Sequence, residues 1–71
     1  MEDIKKISGH ELTARVYALR DSVGLGMDYA QAEKTAQPYL DELNLRASVI
    51  AKKYLMSAPK YYFKGFGRNI K

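Results

Sequence analysis

The chain has 71 residues, of which 46% are hydrophobic and 28% charged, and it contains no cysteine. A chain of this length forms one small domain and buries only about 60% of the surface that its unfolded form exposes. The lack of cysteine excludes disulfides, thiolate metal ligands, cysteine nucleophiles and iron–sulfur clusters. No apolar run is long enough for a membrane span or a signal peptide. The sequence therefore predicts a cytoplasmic protein that does not bind a membrane.

Charge is divided unevenly along the sequence. Residues 1–42 hold five Lys or Arg and eight Asp or Glu side chains, whereas residues 43–71 hold seven Lys or Arg and no acid. The whole net charge of +4 therefore comes from the C-terminal part. Such a division indicates a basic segment that binds a polyanion or an acidic protein surface. The alternative is a solvated basic face that only maintains solubility, which gives the same pattern.

The first predicted helix runs from about Gly9 to Ser22. Ser8 and Glu11 form a capping-box pattern at its start, and Gly24 and Gly26 supply the backbone freedom that its end requires. Its apolar side chains recur at helical spacing, at Leu12, Val16, Leu19 and Val23.

Two further helices are predicted after this one. Asp28 is a suitable cap for the second helix. Pro38 lacks a backbone N–H, so we expect a break near Ala36 and Gln37, with Pro38 in the first turn of a third helix that reaches about Leu55. The apolar stripe of this third helix consists of Tyr39, Leu43, Ala47, Ile50 and Tyr54.

The predicted fold is therefore all-α: a small three-helix core over residues 1–59, followed in the same domain by a basic, aromatic-rich tail or short fourth helix over residues 60–71. The first and third helices face each other, and the second closes the third side. Since so small a domain needs its large apolar groups, we expect at least two of the four C-terminal aromatic residues to be core: Tyr61, Tyr62, Phe63 and Phe66.

No constellation of catalytic residues is recognisable. His10 is the single histidine, and it stands in no recognisable spacing to a nucleophile. Asp41 and Glu42 are adjacent, so on a helix they diverge by about 100° and cannot share a metal or a proton. The sequence predicts a protein that is not an enzyme and that uses no cofactor or metal.

The C-terminal part instead predicts a binding surface. Cations there can neutralise phosphates or acidic side chains, and aromatic rings can stack on bases or anchor a protein interface. The candidate residues for binding nucleic acid or another partner are Lys52, Lys53, Lys60, Tyr61, Lys64, Arg68 and Lys71.

Part of this segment resembles a known DNA-binding motif. Residues 50–57 read Ile-Ala-Lys-Lys-Tyr-Leu-Met-Ser and are followed by Tyr61 and Tyr62. This run resembles the latter half of a helix-turn-helix unit, with Leu55 at the position of the family's turn glycine. The resemblance implies that Ser57 caps a short recognition helix. It also implies which side chains lie near the major groove, namely Ala58, Lys60, Tyr61 and Lys64.

The predicted function is that of a small DNA-binding protein, with a role in regulating transcription, that uses its basic C-terminal half. The alternative is a small protein of phage or plasmid type that binds an acidic surface on a host protein such as the transcription machinery. The same cations and aromatic rings serve both functions, so the sequence leaves both open. It also leaves the oligomeric state open.

Overall fold

The computed structural model describes residues 3–64 and consists of two long helices preceded by one short turn of 3-10 helix. The 3-10 turn spans Ile4–Lys6, α1 spans Gly9–Gly24 and α2 spans Tyr29–Lys53. No strand occurs in this part of the chain. The predicted all-α class is confirmed, whereas the second and third predicted helices are one continuous helix.

The prediction that Pro38 separates two helices is wrong. Pro38 lies inside α2 with an exposed side chain. Its position costs about 3 kcal/mol, because a proline removes one backbone hydrogen bond and crowds the preceding turn. Ala32, Ala36 and Leu40 follow one another at intervals of four across this position, and all three are buried. A continuous helix keeps them on one face, and their burial offsets the cost of the proline.

Both helices begin at the residues predicted to cap them. The Ser8 hydroxyl accepts a hydrogen bond from the Glu11 N–H at 3.1 Å, and the Asp28 carboxylate accepts one from the Gln31 N–H at 3.1 Å. The Glu11 carboxylate turns to Arg15, whose Nε lies 3.1 Å away. The start of α1 is therefore fixed by side chains within one turn of it.

We expect Ser8→Ala to lower the free energy of unfolding by about 1 kcal/mol, because the Glu11 N–H then loses its acceptor. Urea denaturation followed by circular dichroism measures the change. Ser48→Ala is the matched control, since Ser48 is exposed within α2 and alanine is the better helix former there. Equal midpoints for Ser8→Ala and the unchanged protein would show that the cap contributes nothing.

α1 ends in a Schellman motif. The Met27 N–H donates to the Ser22 carbonyl at 2.9 Å, and the Gly26 N–H donates to the Val23 carbonyl at 3.1 Å. Gly26 has a φ of 114°, a conformation that side chains other than glycine rarely adopt. This motif reverses the chain within four residues, so α2 runs back along α1.

The core lies between the two helices and the segment that follows α2. Its fully buried side chains are Leu12, Val16, Ala32, Ala36, Leu40, Ala51 and Phe63. Gly9, at the start of α1, lies beside Arg46, so α1 is too short to cover the last turns of α2. The expectation that Ile50 and Tyr54 pack against α1 is therefore wrong, and both are largely exposed.

Phe63 completes the core from outside the helices. It is only 2% exposed and is the largest of the buried side chains. The ring of Tyr29 meets its ring edge-on, with centroids 5.3 Å apart. The Arg20 guanidinium lies 5.3 Å from the centroid of the same ring and donates to the Phe63 carbonyl at 2.8 Å. These contacts attach the C-terminal segment to the closed end of the helix pair.

The chain between Tyr54 and Lys64 contains no helix, so the short fourth helix expected from Ser57 is not present in these residues. The Asn44 side chain holds this segment instead: its Oδ1 accepts from the Tyr61 N–H at 2.6 Å, and its Nδ2 donates to the Tyr61 carbonyl at 3.0 Å. Of the aromatic residues expected in the core, Phe63 is buried, Tyr61 and Tyr62 are exposed, and Phe66 lies outside the described residues.

Candidate binding surface

The cations predicted to bind a partner lie in two places. Lys52 and Lys53 occupy the last turn of α2, and Lys60 and Lys64 lie on the segment that follows. All four are exposed, and between Asp3 and Lys64 no carboxylate forms an ion pair with them. The two remaining predicted cations, Arg68 and Lys71, lie outside the described residues.

The structure does not bring all of these lysines together. Lys64 follows Phe63, which packs on Tyr29 at the start of α2, whereas Lys53 is at the opposite end of this helix. Since α2 rises 1.5 Å per residue, the two lysines are on the order of 30 Å apart. Lys64 therefore stands apart from the two lysines at the end of α2.

Other cations are paired inside the fold. Glu42 accepts from Arg46 Nε at 2.8 Å and lies 3.4 Å from Lys5 Nζ. The hydrogen bond from Arg46, followed by the charge of Lys5, holds the pKa of Glu42 below its ordinary value of 4.5. Arg46 also donates to the carbonyls of Ile4 and Lys5, at 3.3 and 3.2 Å. This cluster ties the 3-10 turn to α2 and leaves little free charge.

An apolar groove of about 450 Å³ lies beside the end of α2. It runs between the last turns of the helix and residues 56–61, which fold back across them, and Gly9 at the start of α1 and Arg46 close one end of it. Ile50, 56% exposed, lies along it. Lys60 stands between Pro59 and Tyr61, two of the lining residues. The other side chains that line the groove include Leu43, Ala47, Ala51 and Met56.

Leu55 projects from the end of α2 in an unusual conformation. α2 closes with the same hydrogen bonds as α1: the Met56 N–H donates to the Ala51 carbonyl at 2.9 Å, and the Leu55 N–H donates to the Lys52 carbonyl at 3.3 Å. Leu55 thus takes the position that Gly26 takes after α1, with a φ of 54°. A left-handed conformation costs an L-residue roughly 1–2 kcal/mol.

The side chain of Leu55 is 94% exposed, so neither the core nor the backbone benefits from a leucine at this position. Leu55 is therefore both strained and exposed, a combination that nothing in the packing of residues 3–64 explains. Exposed aromatic rings stand beside two of the lysines: Lys53 Nζ is 5.8 Å from the Tyr54 ring, and Lys60 Nζ is 5.9 Å from the Tyr62 ring. Apolar and cationic groups therefore alternate over one surface.

The sequence predicts the lysines and Tyr61 as binding residues, whereas Ile50, Leu55 and Met56 join this surface only in the folded structure. Ile50 continued a helical stripe and was therefore assigned to the core. The signal for Leu55 was the helix end itself, because a helix that stops without glycine or asparagine at the left-handed position places another residue there.

The remaining features of the described residues suggest no other kind of site. No three His, Asp or Glu side chains in this part of the chain are close enough to hold a metal ion. Neither α1 nor α2 has a stretch both long and apolar enough to cross a membrane. Comparison with protein-family models, with curated proteins and with solved structures finds no match to this chain.

Proposed function

We propose that this protein is a non-enzymatic binding module that holds an acidic segment of a partner protein against the end of α2. The observation that carries the proposal is Leu55, a strained and exposed leucine at the end of α2, where an apolar groove begins. Three lysines of the same region, Lys52, Lys53 and Lys60, have no carboxylate partner among residues 3–64. The partner segment inserts apolar side chains into the groove and places its acids near Lys53 and Lys60.

The apolar part of the surface favours a protein partner over DNA. Leucine and isoleucine gain free energy by leaving water, about 1.5 to 3 kcal/mol for each side chain that becomes fully buried. A partner protein supplies complementary apolar side chains, whereas phosphates and most base edges do not. Leu55, Ile50 and Met56 would then act as anchors of the interface.

The cations define which protein segments fit. No acid follows Glu42 in the sequence, so an acidic partner meets no like charge from the C-terminal part of this chain. Each exposed ion pair contributes little free energy, but a cluster of lysines speeds the encounter with an acidic segment and excludes basic ones.

DNA binding is the second candidate. It is favoured by the exposed rings of Tyr54 and Tyr62, which stand beside lysines as they do on surfaces that bind nucleic acid. The resemblance of residues 50–62 to a helix-turn-helix unit adds no support, because no helix follows Ser57 as far as Lys64. If Lys52, Lys53 and Lys60 contact phosphates, the logarithm of affinity falls with the logarithm of salt concentration with a slope of about −2.7.

Leu55→Gly separates the two candidates. Glycine relieves the left-handed strain, so we expect the free energy of unfolding to rise by roughly 0.5 to 1 kcal/mol. The same change removes the proposed anchor. Affinity for an amphipathic peptide with leucine and phenylalanine on one face and aspartate and glutamate on the other falls about tenfold or more. Affinity for duplex DNA stays unchanged, because leucine contributes little to phosphate contacts.

The matched control is Leu25→Gly. Leu25 is 89% exposed at the end of α1 but has an ordinary φ of −97°. Glycine there lowers stability slightly and leaves peptide affinity unchanged. Isothermal titration calorimetry with the peptide and with duplex DNA, at two salt concentrations, measures the affinities. If the protein binds DNA with the expected salt slope and does not bind the peptide, DNA rather than an acidic protein segment is the favoured partner.

A further inference from the structure

The face of α2 that points away from the core carries two exposed apolar side chains. Leu45 is 49% and Val49 is 60% exposed. They are four residues apart, so at 100° per residue they point in nearly the same direction. Ala36 and Leu40 lie about 180° away on the buried side of the helix. The described residues leave about half of each side chain exposed, with Ile4 of the 3-10 turn beside Leu45.

The charges on this outer face have a twofold pattern. Ala47 is the midpoint between Leu45 and Val49. The acidic residues 41–42 lie five and six positions before it, and the basic residues 52–53 lie five and six positions after it. A half-turn about an axis at the level of Ala47 therefore places Leu45 opposite Val49 of a second copy, and the acids of each copy level with the lysines of the other.

We infer that this outer face of α2 pairs with the same face of a second copy of the chain, in antiparallel orientation. An interface with twofold symmetry must be complementary to itself, and this face meets the condition only when the helices run in opposite directions. Parallel pairing would set lysine against lysine and acid against acid.

The main ion pair of the interface joins Asp41 to Lys52 of the second copy. These two positions are eleven residues apart, which places them on the same flank of the helix, within about 20°. Lys52 has no carboxylate partner in the part of the chain that the structure describes. Asp41 is exposed, and within residues 3–64 it accepts only a neutral hydrogen bond, from Gln37 Nε2 at 2.8 Å. Glu42 contributes less, because Arg46 already balances its charge.

The shape of the face supports this pairing. A groove of about 510 Å³ lies beside Leu45, lined by Pro38, Ile4 and the carboxylates of Asp3 and Asp41. In the antiparallel pair, this groove lies opposite the last turn of α2 of the second copy. Three carboxylates, those of Asp3, Asp41 and Glu42, and one lysine, Lys5, line this groove, so its net charge is negative where it faces a basic helix end.

The pair is weak, because each copy contributes only two aliphatic side chains and the buried area is below that of a standard interface. We expect a dissociation constant on the order of 0.1 mM. Sedimentation equilibrium of the full chain at loading concentrations up to about 1 mM, in 0.15 M salt, detects such a dimer. Leu45→Asp abolishes the association, and circular dichroism confirms that the variant is still folded.

A charge-swap experiment tests the orientation. Lys52→Glu places glutamate beside Asp41 of the second copy, and Asp41→Lys places two lysines together, so each variant alone associates at least about fivefold more weakly. An equimolar mixture of the two variants forms two attractive pairs and restores the association of the unchanged protein.

Lys60→Glu is the matched control, since it changes the net charge as Lys52→Glu does but lies off the outer face of α2. Lys60→Glu leaves dimer association unchanged but lowers the affinity for the acidic peptide. The experiment therefore tests the dimer and the proposed function independently. The inference is overturned if the unchanged protein is monomeric at 1 mM, or if the mixture associates no better than either variant alone.

Discussion

Phe63→Ala is expected to lower the free energy of unfolding by about 3 to 5 kcal/mol. The ring is 2% exposed and fills the space between α1 and the start of α2. Its loss removes the contacts with Tyr29 and Arg20 and leaves a cavity that two rigid helices cannot close. Since a domain of this size has a total stability on the order of 5 kcal/mol, the variant keeps no more than about 2 kcal/mol.

Thermal and urea denaturation of Phe63→Ala measure this loss, and Tyr62→Ala is the control. Tyr62 is the neighbouring residue and is exposed, so its replacement changes stability by no more than about 0.5 kcal/mol. Equal stabilities for the two variants would mean that the C-terminal segment does not pack on the helices. Phe63→Leu, which keeps most of the apolar volume, recovers part of the loss.

Pro38→Ala is expected to raise the free energy of unfolding by about 2 kcal/mol. Alanine restores the missing N–H, which can then donate to the Lys34 carbonyl, and is favoured over proline by about 3 kcal/mol in a helix interior. The greater freedom of alanine in the unfolded chain reduces this gain by up to about 1 kcal/mol. The exposed position of Pro38 means that no buried contact is lost.

Pro59→Ala is the control for this prediction. Pro59 lies outside the helices, so alanine adds only freedom to the unfolded chain and lowers stability slightly. Opposite signs for the two proline variants, measured by the shift of the urea midpoint, are the expected result. A loss of stability in Pro38→Ala would show that α2 needs the proline, for example to bend along α1.

Local rules predicted where each helix begins but not how many helices there are. Ser8 and Asp28 act within one turn, so their neighbours in sequence are sufficient to identify them as caps. The proline rule is also local, but here the continuous burial of Ala32, Ala36 and Leu40 outweighs it. That burial depends on α1 and Phe63, which are distant in sequence.

The same long-range effect explains why the apolar residues of the candidate binding surface were not predicted. The lysines after Glu42 are recognisable from composition, because so many unpaired cations must lie at the surface. Ile50 could not be recognised, because its exposure follows from the difference in length between α1, with 16 residues, and α2, with 25. This difference exists only once Pro38 is placed inside a single helix.

The choice of Phe63 as the core aromatic also escaped prediction. Tyr61, Tyr62 and Phe63 are adjacent and equally suited to burial by composition. The Asn44 side chain forms hydrogen bonds with both the N–H and the carbonyl of Tyr61. These bonds fix the position of Tyr61 and thereby determine which of the following residues reaches the core. An asparagine on an otherwise ordinary helix face gives no local indication of this role.

The attachment of Phe63 to Arg20 also sets the order in which the protein folds. The turn between α1 and α2 closes after a few residues, whereas the contact between Arg20 and Phe63 closes a loop of 43 residues. Because the entropy lost on closing a loop grows with its length, the helical hairpin forms first and the C-terminal segment docks last. In the interval the part of Ala32, Ala36 and Leu40 that Phe63 covers faces water. Amide hydrogen exchange should therefore report an opening of residues 61–63 at lower free energy than that of the hairpin.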